Sequence, residues 1–384
     1  MADNKENKVL NVPALRFPEF TDEWHKQSLG EIGETIIGLT YKPSDVVESN
    51  GTIVLRSSNI KNGVIDYSDL VRVNKPIKER IITKENDILI CARNGSQRLI
   101  GKNAIIKKED ANNTFGAFMM VYRSKDNPFI LPLLSTKRYF SQVGENLGAR
   151  INQITTSDFN GFDFYFPNSH AERAKIAELF RLIDERIATQ NKIIEDLKKL
   201  KSAIYQEMFG SLVAQTLKLG QVAEVVKGKQ VNGTELLEQG DYYVMNGGTL
   251  PSGWLHKYNT EANTISISEG GNSCGYVQYN TSPYWSGGHC YSLKILHPQE
   301  TSDLYLYHFL KWQEENIMAL RIGSGLPNIQ KKDLLHFPVI LPTITQQNKI
   351  VLILSAIEEK VSCEISITQY FVKQKEYLLS QLFI

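Results

Sequence analysis

The sequence predicts an α+β protein: two globular domains joined and spaced by two long antiparallel α-helices, coiled-coil-like, with internal pseudo-two-fold symmetry. Three observations predict it. Ile176–Phe209 aligns without a gap with Ile350–Phe383 at an offset of 174, so that Ile183-Asp184-Glu185-Arg186-Ile187 reads again as Ile357-Glu358-Glu359-Lys360-Val361. Neither stretch contains Gly or Pro, and both carry apolar residues at helical spacing. Each is preceded by a run of short strand and turn patterns. The echo continues upstream at an offset of 175, with Phe164–Pro167 over Val339–Pro342, Asp158 over Asp333, Ile154 over Ile329 and Gly148 over Gly323. Further back, Leu29-Gly30-Glu31-Ile32 returns as Leu219-Gly220-Gln221-Val222.

Residues 1–20 read as an N-terminal arm, because Pro13 and Pro18 forbid a regular helix there. Residues 21–167 form the first globular domain. Thr52–Leu55, Ile88–Ala92, Ala104–Ile106 and Ala117–Tyr122 have the composition of strands; Lys61-Asn62-Gly63 and Arg93-Asn94-Gly95 are turn signals. A helix is expected near Leu131–Val143. The first long helix occupies 168–210. Ser169 and Glu172 have capping-box spacing, and Gly210 stands where a terminal glycine ends a helix. With Ile176 at heptad position a, Ile183, Gln190, Leu197 and Ile204 follow at a. Leu179, Arg186, Ile193, Leu200 and Glu207 fall at d, and Phe180, Ile187, Ile194 and Met208 widen the stripe at e.

The second globular domain, 211–342, shares the opening and closing strands of the first but differs in its middle, which is rich in glycine, asparagine and aromatic residues. The second long helix occupies 343–384 and opens with a Thr343/Gln346 box. Ile350, Ile353, Ile357, Ile367, Phe371 and Leu378 form its seam, and Glu364 holds the a position that Gln190 holds in the first. Each helix has about 39 residues and is about 58 Å long. Packing the two together hides both stripes. If the packing is antiparallel, Gln190 and Glu364 fall near the crossing, where polar groups fix register.

Composition is that of an ordinary globular chain, 42% hydrophobic and 22% charged. The N-terminal residues are polar and mixed in charge, unlike a signal peptide, and no stretch is long enough to span a membrane. Cys91, Cys274, Cys290 and Cys363 are scattered without a CxxC, which fits a reducing, cytoplasmic setting. Net charge is +1, but Arg56–Lys108 holds twelve Lys/Arg against five Asp/Glu, a candidate phosphate-facing surface. Thr216–Leu341 holds nine against eleven and has no such excess.

No phosphate cradle, nucleophile elbow or paired zinc spacing occurs. His289-Cys290 with Cys274 could supply three zinc donors but lack the usual paired spacing, and Ser282-Pro283-Tyr284-Trp285 lacks the second proline of a methyltransferase loop. No catalytic residue is assigned. Two polar glycine loops after buried strands suit reading instead. In Arg93-Asn94-Gly95-Ser96-Gln97-Arg98, arginine can pair with guanine and Asn or Gln with adenine. In Ser268-Glu269-Gly270-Gly271-Asn272-Ser273, Glu269 can accept from cytosine, with Asn272 and Ser273 beside it. Lys61, Lys75, Lys102, Lys107 and Lys108 suit phosphates.

With these residues assembled, the chain resembles the specificity subunit of type I restriction-modification enzymes. Val12–Phe20 with Trp24 and Leu29-Gly30 resembles the family's opening. Glu85-Asn86-Asp87-Ile88-Leu89-Ile90 through Gly101 resembles its GDIL strand and polar loop, with Asn86 in place of the usual glycine. Ser252-Gly253-Trp254 and Ile265–Tyr279 resemble a second recognition domain, and Pro167–Phe209 and Pro342–Phe383 the conserved spacers. The resemblance implies two target recognition domains, each reading half of a bipartite target in double-stranded DNA, and a helix pair as a ruler between them. It also implies two modification (methyltransferase) subunits and restriction (motor-nuclease) subunits as partners. S-adenosylmethionine, ATP and Mg are then expected on those partners and no cofactor on this chain. Glu172, Arg173, Glu185, Lys192, Glu195, Lys198 and Lys199, off the seam, are candidate docking positions. The rival readings are a fused methyltransferase or nuclease fragment and a bivalent adaptor that binds no DNA.

Overall fold

The computed structural model describes residues 11–147, 152–323, 325 and 327–384. The expected echo of Gly148 therefore lies outside the described residues. They form two compact units. The first is the chain up to Gln190 together with Ile367–Ile384; the second is Asn191–Ser366. Two long helices, α5 (His170–Gly210) and α10 (Ile344–Leu382), each contribute to both. No helix among the described residues is long and apolar enough to cross a membrane.

In the first unit, β1 (His25–Ser28) pairs antiparallel with β12 (Asp163–Phe166), closing the globule at its ends. Short helices α1 (Leu29–Ile32) and α4 (Thr156–Asn160) pack beside them. An antiparallel sheet runs in the order β2 (Glu34–Ile37), β11 (Met119–Arg123), β8 (Ile88–Cys91), β9 (Asn103–Ile105). A second runs β10 (Thr114–Phe115), β4 (Thr52–Leu55), β7 (Arg72–Val73), β3 (Val46–Val47), with β10 parallel to β4.

Strand β8 is buried on both faces, hence its unbroken apolar run instead of an alternation. Ile88 and Ile90 face a core with Trp24, Phe129 and Phe164, whereas Leu89 and Cys91 face a second core with Leu55 and Phe115. Asn62 and Gly63 join β5 (Ile60–Lys61) to β6 (Val64–Ile65) with φ of 51° and 76°, the paired positive values a two-residue hairpin needs. Asn86, where the resembled family has glycine, also has positive φ, a conformation asparagine tolerates. The helix expected over 131–143 is two helices, α2 (Asn127–Leu133) and α3 (Lys137–Leu147). Thr136 separates them: its hydroxyl donates to the Leu133 carbonyl and accepts from the Tyr139 N–H, ending one helix and capping the next.

The second unit repeats this frame. Its end strands are β13 (Gln215–Lys218) and β21 (Pro338–Leu341), with α6 (Leu219–Val222) following the first. Its antiparallel sheet runs β14 (Ala223–Lys227), β20 (Cys290–Ile295), β17 (Thr264–Ser268), β18 (Val277–Asn280). A three-stranded sheet runs β16 (Trp254–Leu255), β15 (Tyr242–Met245), β19 (Trp285–Ser286), with β19 parallel to β15. Helices α7 (Asp303–Trp312), α8 (Glu314–Met318) and α9 (Lys331–Leu335) complete it.

The difference expected between the middles of the two domains thus lies in the side chains that fill them, while the backbone frame repeats. The N–H of Gly116 donates to Leu55, and that of Gly287 donates to Met245, at matching places. Gly38 and Gly228 are matched too, where an added Cβ would stand 2.3 and 2.1 Å from the carbonyl oxygens of Gly116 and Gly287. The shared bonds are main-chain bonds, so side chains were free to diverge: Phe115 in one frame is Ser286 in the other. Accordingly the space between the sheets is apolar in the first unit but polar in the second. There buried Asn280 donates to the Thr264 carbonyl and to Ser266 Oγ, each at 2.9 Å, and accepts from Tyr243 at 3.0 Å.

Within each unit the helices run antiparallel. In the first, Phe180 stacks on Phe383, Asp184 pairs with Lys375 at 2.6 Å and Arg186 lies over Phe371. In the second, Lys201 pairs with Glu358 at 2.5 Å, and beyond it Tyr205 and Phe209 share a core with Leu354 and Ile350. The two ion pairs are equivalent under the 174-residue offset. The inward faces are Ile176, Phe180, Ile183, Ile187, Gln190, Ile194, Leu197 and Ile204 on α5, and Ile350, Leu354, Ile357, Glu364, Phe371, Leu378 and Leu382 on α10. That is the a/e set, not a/d. Leu179 is partly buried at the first core, but Ile193, Leu200 and Ile353 are 38–50% exposed. Apolar residues on both flanks of a let the pattern support either choice; the fold takes the 4–3 spacing.

Two capping expectations also change. Ser169 Oγ does accept from the Glu172 N–H, but Glu172 does not reach back to the cap, and it is only 1% exposed rather than a docking position. It accepts from Arg16 Nε and Nη2 at 2.7 and 2.8 Å and from Trp24 Nε1 at 3.2 Å. Gly210 is the last helical residue and not a left-handed terminator.

The second unit buries one ionisable network. Tyr205 Oη lies 2.6 Å from His308 Nδ1 and donates to Glu358 at 3.2 Å; His308 Nε2 lies 3.3 Å from Ser355 Oγ. Burial pushes the imidazole down to about 4, with Lys201 adding to the shift and Glu358 opposing it. A folded value below the free value of about 6.5 stabilises the fold above that pH and is lost as pH falls toward 4. Between pH 7.5 and 4.5 this site should cost about 2–3 kcal/mol. Urea unfolding of wild type and His308→Gln at both pH values tests it: the variant should lose less stability on acidification, and parallel losses would refute the assignment.

Candidate nucleic-acid interface

The two polar loops picked from sequence occupy the same place in the two frames. Each follows the central strand of its sheet, β8 or β17. The Ala92 carbonyl accepts from the Ile154 N–H at 2.9 Å, and the Glu269 carbonyl from the Ile329 N–H at 2.8 Å. Bridges Arg93–Gln153 and Gly270–Asn328 then fix the next residue of each loop. This explains why Ile154 and Ile329 echo each other in sequence.

In the first loop the side chains divide between building and exposure. Asn94 Oδ1 accepts from the Ser96 N–H at 3.0 Å, and its amide donates to Ser57 Oγ at 3.0 Å, so Asn94 shapes the loop. Asn152 donates to the Gly95 carbonyl. Arg93, Gln97 and Arg98 are exposed, Ser96 and Lys102 half-buried. An added Cβ at Gly95 would meet nothing within 4 Å, so the backbone is open to approach.

In the second loop Glu269 is engaged rather than presented. It accepts from Lys227 Nζ at 2.7 Å and Tyr291 Oη at 2.9 Å, and its side chain is 12% exposed. Asn272 is exposed at the loop tip and Ser273 half-buried. Gly271, with φ 79°, donates to the Pro327 carbonyl at 3.0 Å.

The candidate phosphate lysines separate likewise. Lys61 pairs with Asp66 at 2.8 Å and, through that bond, holds its carboxyl down at about 2; Lys75 pairs with Asp45 at 3.3 Å. Lys107 and Lys108 are exposed. On α5, Arg173 pairs with Asp126 and Glu185 with Arg181, while Lys192, Glu195, Lys198 and Lys199 face solvent. The outward aliphatics Leu200, Leu352 and Ile353 belong to the same helices.

Sequence reading missed Phe118 and weighed His289 only as a zinc donor. Each directly precedes the strand beside its loop, β11 or β20. Phe118 was hidden inside the apolar run 117–122, where nothing marks which residue turns outward. The glycines just before each, Gly116 and Gly287-Gly288, are the signal that the chain changes direction there.

Among the described residues no group of three or more His, Cys, Asp or Glu could hold a metal ion. Cys274 Sγ donates to the Glu269 carbonyl, and burial pushes the Cys91 and Cys290 thiols up to about 11.

The family profile described as the type I restriction modification DNA specificity domain matches residues 21–199 and again 214–369. The Mycoplasma pneumoniae protein S.MpnORF638P, named for a type I specificity subunit, is 36% identical over 144 residues, 37% of this chain and 38% of that one. The matched stretch spans about two fifths of the Mycoplasma relatives' own length. The MjaX protein of Methanocaldococcus jannaschii, named for a specificity subunit, is 24% identical across 98% of this chain and 96% of its own. The crystal structure of a type I restriction-modification S subunit from M. genitalium superposes with a TM-score of 0.68 at 19% identity, covering 97% of this chain and 99% of that one. That likeness establishes the fold.

Proposed function

The chain belongs to the type I restriction-modification DNA specificity family, and from that membership we propose that each unit reads one half of a bipartite site in double-stranded DNA. The observation that carries this reading is the repeated frame with unlike loops: one backbone device holds Arg93–Arg98 in the first unit and Gly270–Ser273 in the second. A duplicated scaffold with divergent tips suits two different half-sites. The chain supplies recognition, and S-adenosylmethionine, ATP and Mg chemistry falls to modification and restriction subunits. The outward aliphatics of α5 and α10 support docking of such partners.

The test is duplex binding by the full chain with its modification subunit, with methylome sequencing of the expressing host to define the site. Affinity should fall steeply with salt, as phosphate contacts require, and a single split motif should appear. Arg93→Ala and Arg98→Ala should each weaken specific binding by about 1–3 kcal/mol if they contact bases, and uniformly across sequences if they contact phosphates. Salt-independent binding, or a host methylome without a split motif, would favour the adaptor.

A further inference from the structure

Phe118 and His289 occupy one place in the repeated frame. The Phe118 carbonyl accepts from the Ala92 and Arg93 N–H groups, both at 3.0 Å; the His289 carbonyl accepts from the Glu269 N–H at 2.9 Å. Each residue is thus tied by its main chain to the base of the candidate reading loop. Each then holds a planar ring out to solvent: Phe118 is 59% exposed, and the His289 side chain 61%. A large aromatic ring left in water is unusual for a residue followed on β11 by four buried ones, Met119, Met120, Val121 and Tyr122. The Arg93 guanidinium lies over the Phe118 face, 5.2 Å from its centroid, and the main-chain N–H of His289 donates to Asn246 Oδ1 at 3.1 Å, which fixes the backbone from which the imidazole projects.

We propose that positions 118 and 289 are specificity-determining base contacts, one for each half-site, with Phe118 packing on the C5-methyl group of a thymine. This rests on the DNA-recognition reading above. Phenylalanine offers a base edge no hydrogen bond, and the thymine methyl is the apolar mark of the major groove. The cation over its ring sits where arginine could take the neighbouring guanine. His289 offers a hydrogen-bonding edge instead, so the second unit reads a different base from the same position.

The test uses the full chain with its modification subunit and a duplex carrying the site found by methylome sequencing. Each thymine is replaced singly by deoxyuridine, which deletes only the C5-methyl. One replacement, in one half-site, should weaken the wild-type complex about fourfold, the worth of one buried methyl. The Phe118→Ala complex should be indifferent to that replacement, while His289→Ala should keep the full sensitivity. Both side chains are exposed, so neither substitution opens a core, and unchanged affinity for an unrelated duplex verifies a folded complex. Specific binding that is insensitive to every deoxyuridine, or equally sensitive in Phe118→Ala, would overturn this proposal alone. Loss of all salt-dependent duplex binding in wild type would overturn the DNA reading itself, and this proposal with it.

Discussion

Replacing Glu172 with Ala should destabilise the first unit by about 3–5 kcal/mol, the cost of stripping one partner from a buried ion pair. The carboxylate is 1% exposed and its partner Arg16 is 12% exposed, so solvent does little to compensate the guanidinium left behind. Trp24 Nε1 loses an acceptor in the same step. Trp24 is itself in edge contact with Phe129 and Phe383, so its loss of anchorage reaches the core. Glu172→Gln should be nearly as costly, because it keeps the shape but not the charge. Arg16→Met with Glu172→Met should recover much of the loss, since no charge is then stranded. Hydrogen exchange over residues 11–24 reads the effect directly: the Leu15 and Trp24 amides donate to Gln381 and Asn11 and should lose protection first. Unaltered exchange in Glu172→Ala would show that the arm is held by its other contacts.

This residue also shows why some of the fold was legible and some was not. Spacing correctly placed Ser169 as the cap of α5, but the same spacing offered Glu172 two fates. A carboxylate three residues into a helix can close a capping box or leave the helix for a distant arginine, and only the tertiary structure brings Arg16 to it. The heptad shows the same limit. Ile176, Gln190, Ile350 and Glu364 lay on the inward face as expected, yet whether Ile193 or Ile194 went inward depended on the partner helix. The end strands were readable because both copies keep apolar alternation, Phe164 and Phe166 in one and Val339 in the other. The middle of the second unit was not, because its parallel β15–β19 pair is built from backbone bonds that no side-chain pattern announces. The loops were found because glycine after a buried strand is a backbone signal. Which of their side chains face outward was not, since Asn94 and Glu269 are the polar types expected at a reading edge and both are consumed in building it.

If each unit reads one half-site as proposed, inserting one heptad into both long helices should lengthen the spacer between the half-sites by about three base pairs. Seven residues add about 10.5 Å of helix, against about 3.4 Å per base pair. The insertion points follow from the repeat: after Gln190 in α5 and after Glu364 in α10, equivalent under the 174-residue offset. Both points lie between the equivalent ion pairs Asp184–Lys375 and Lys201–Glu358, so each unit keeps its own ion pair. A full heptad preserves the 4–3 alternation of inward residues; a five-residue insertion would carry Ile194 from e to c and Leu197 from a to f, out of the seam, and expose them. The five-residue variant should therefore lose stability and activity together, whereas the heptad variant should stay folded and methylate a new motif. Both half-site sequences should be unchanged in that motif, because neither loop is touched. A heptad variant that folds, binds its partner subunits and still methylates the original spacing would show that something other than helix length sets the distance between half-sites.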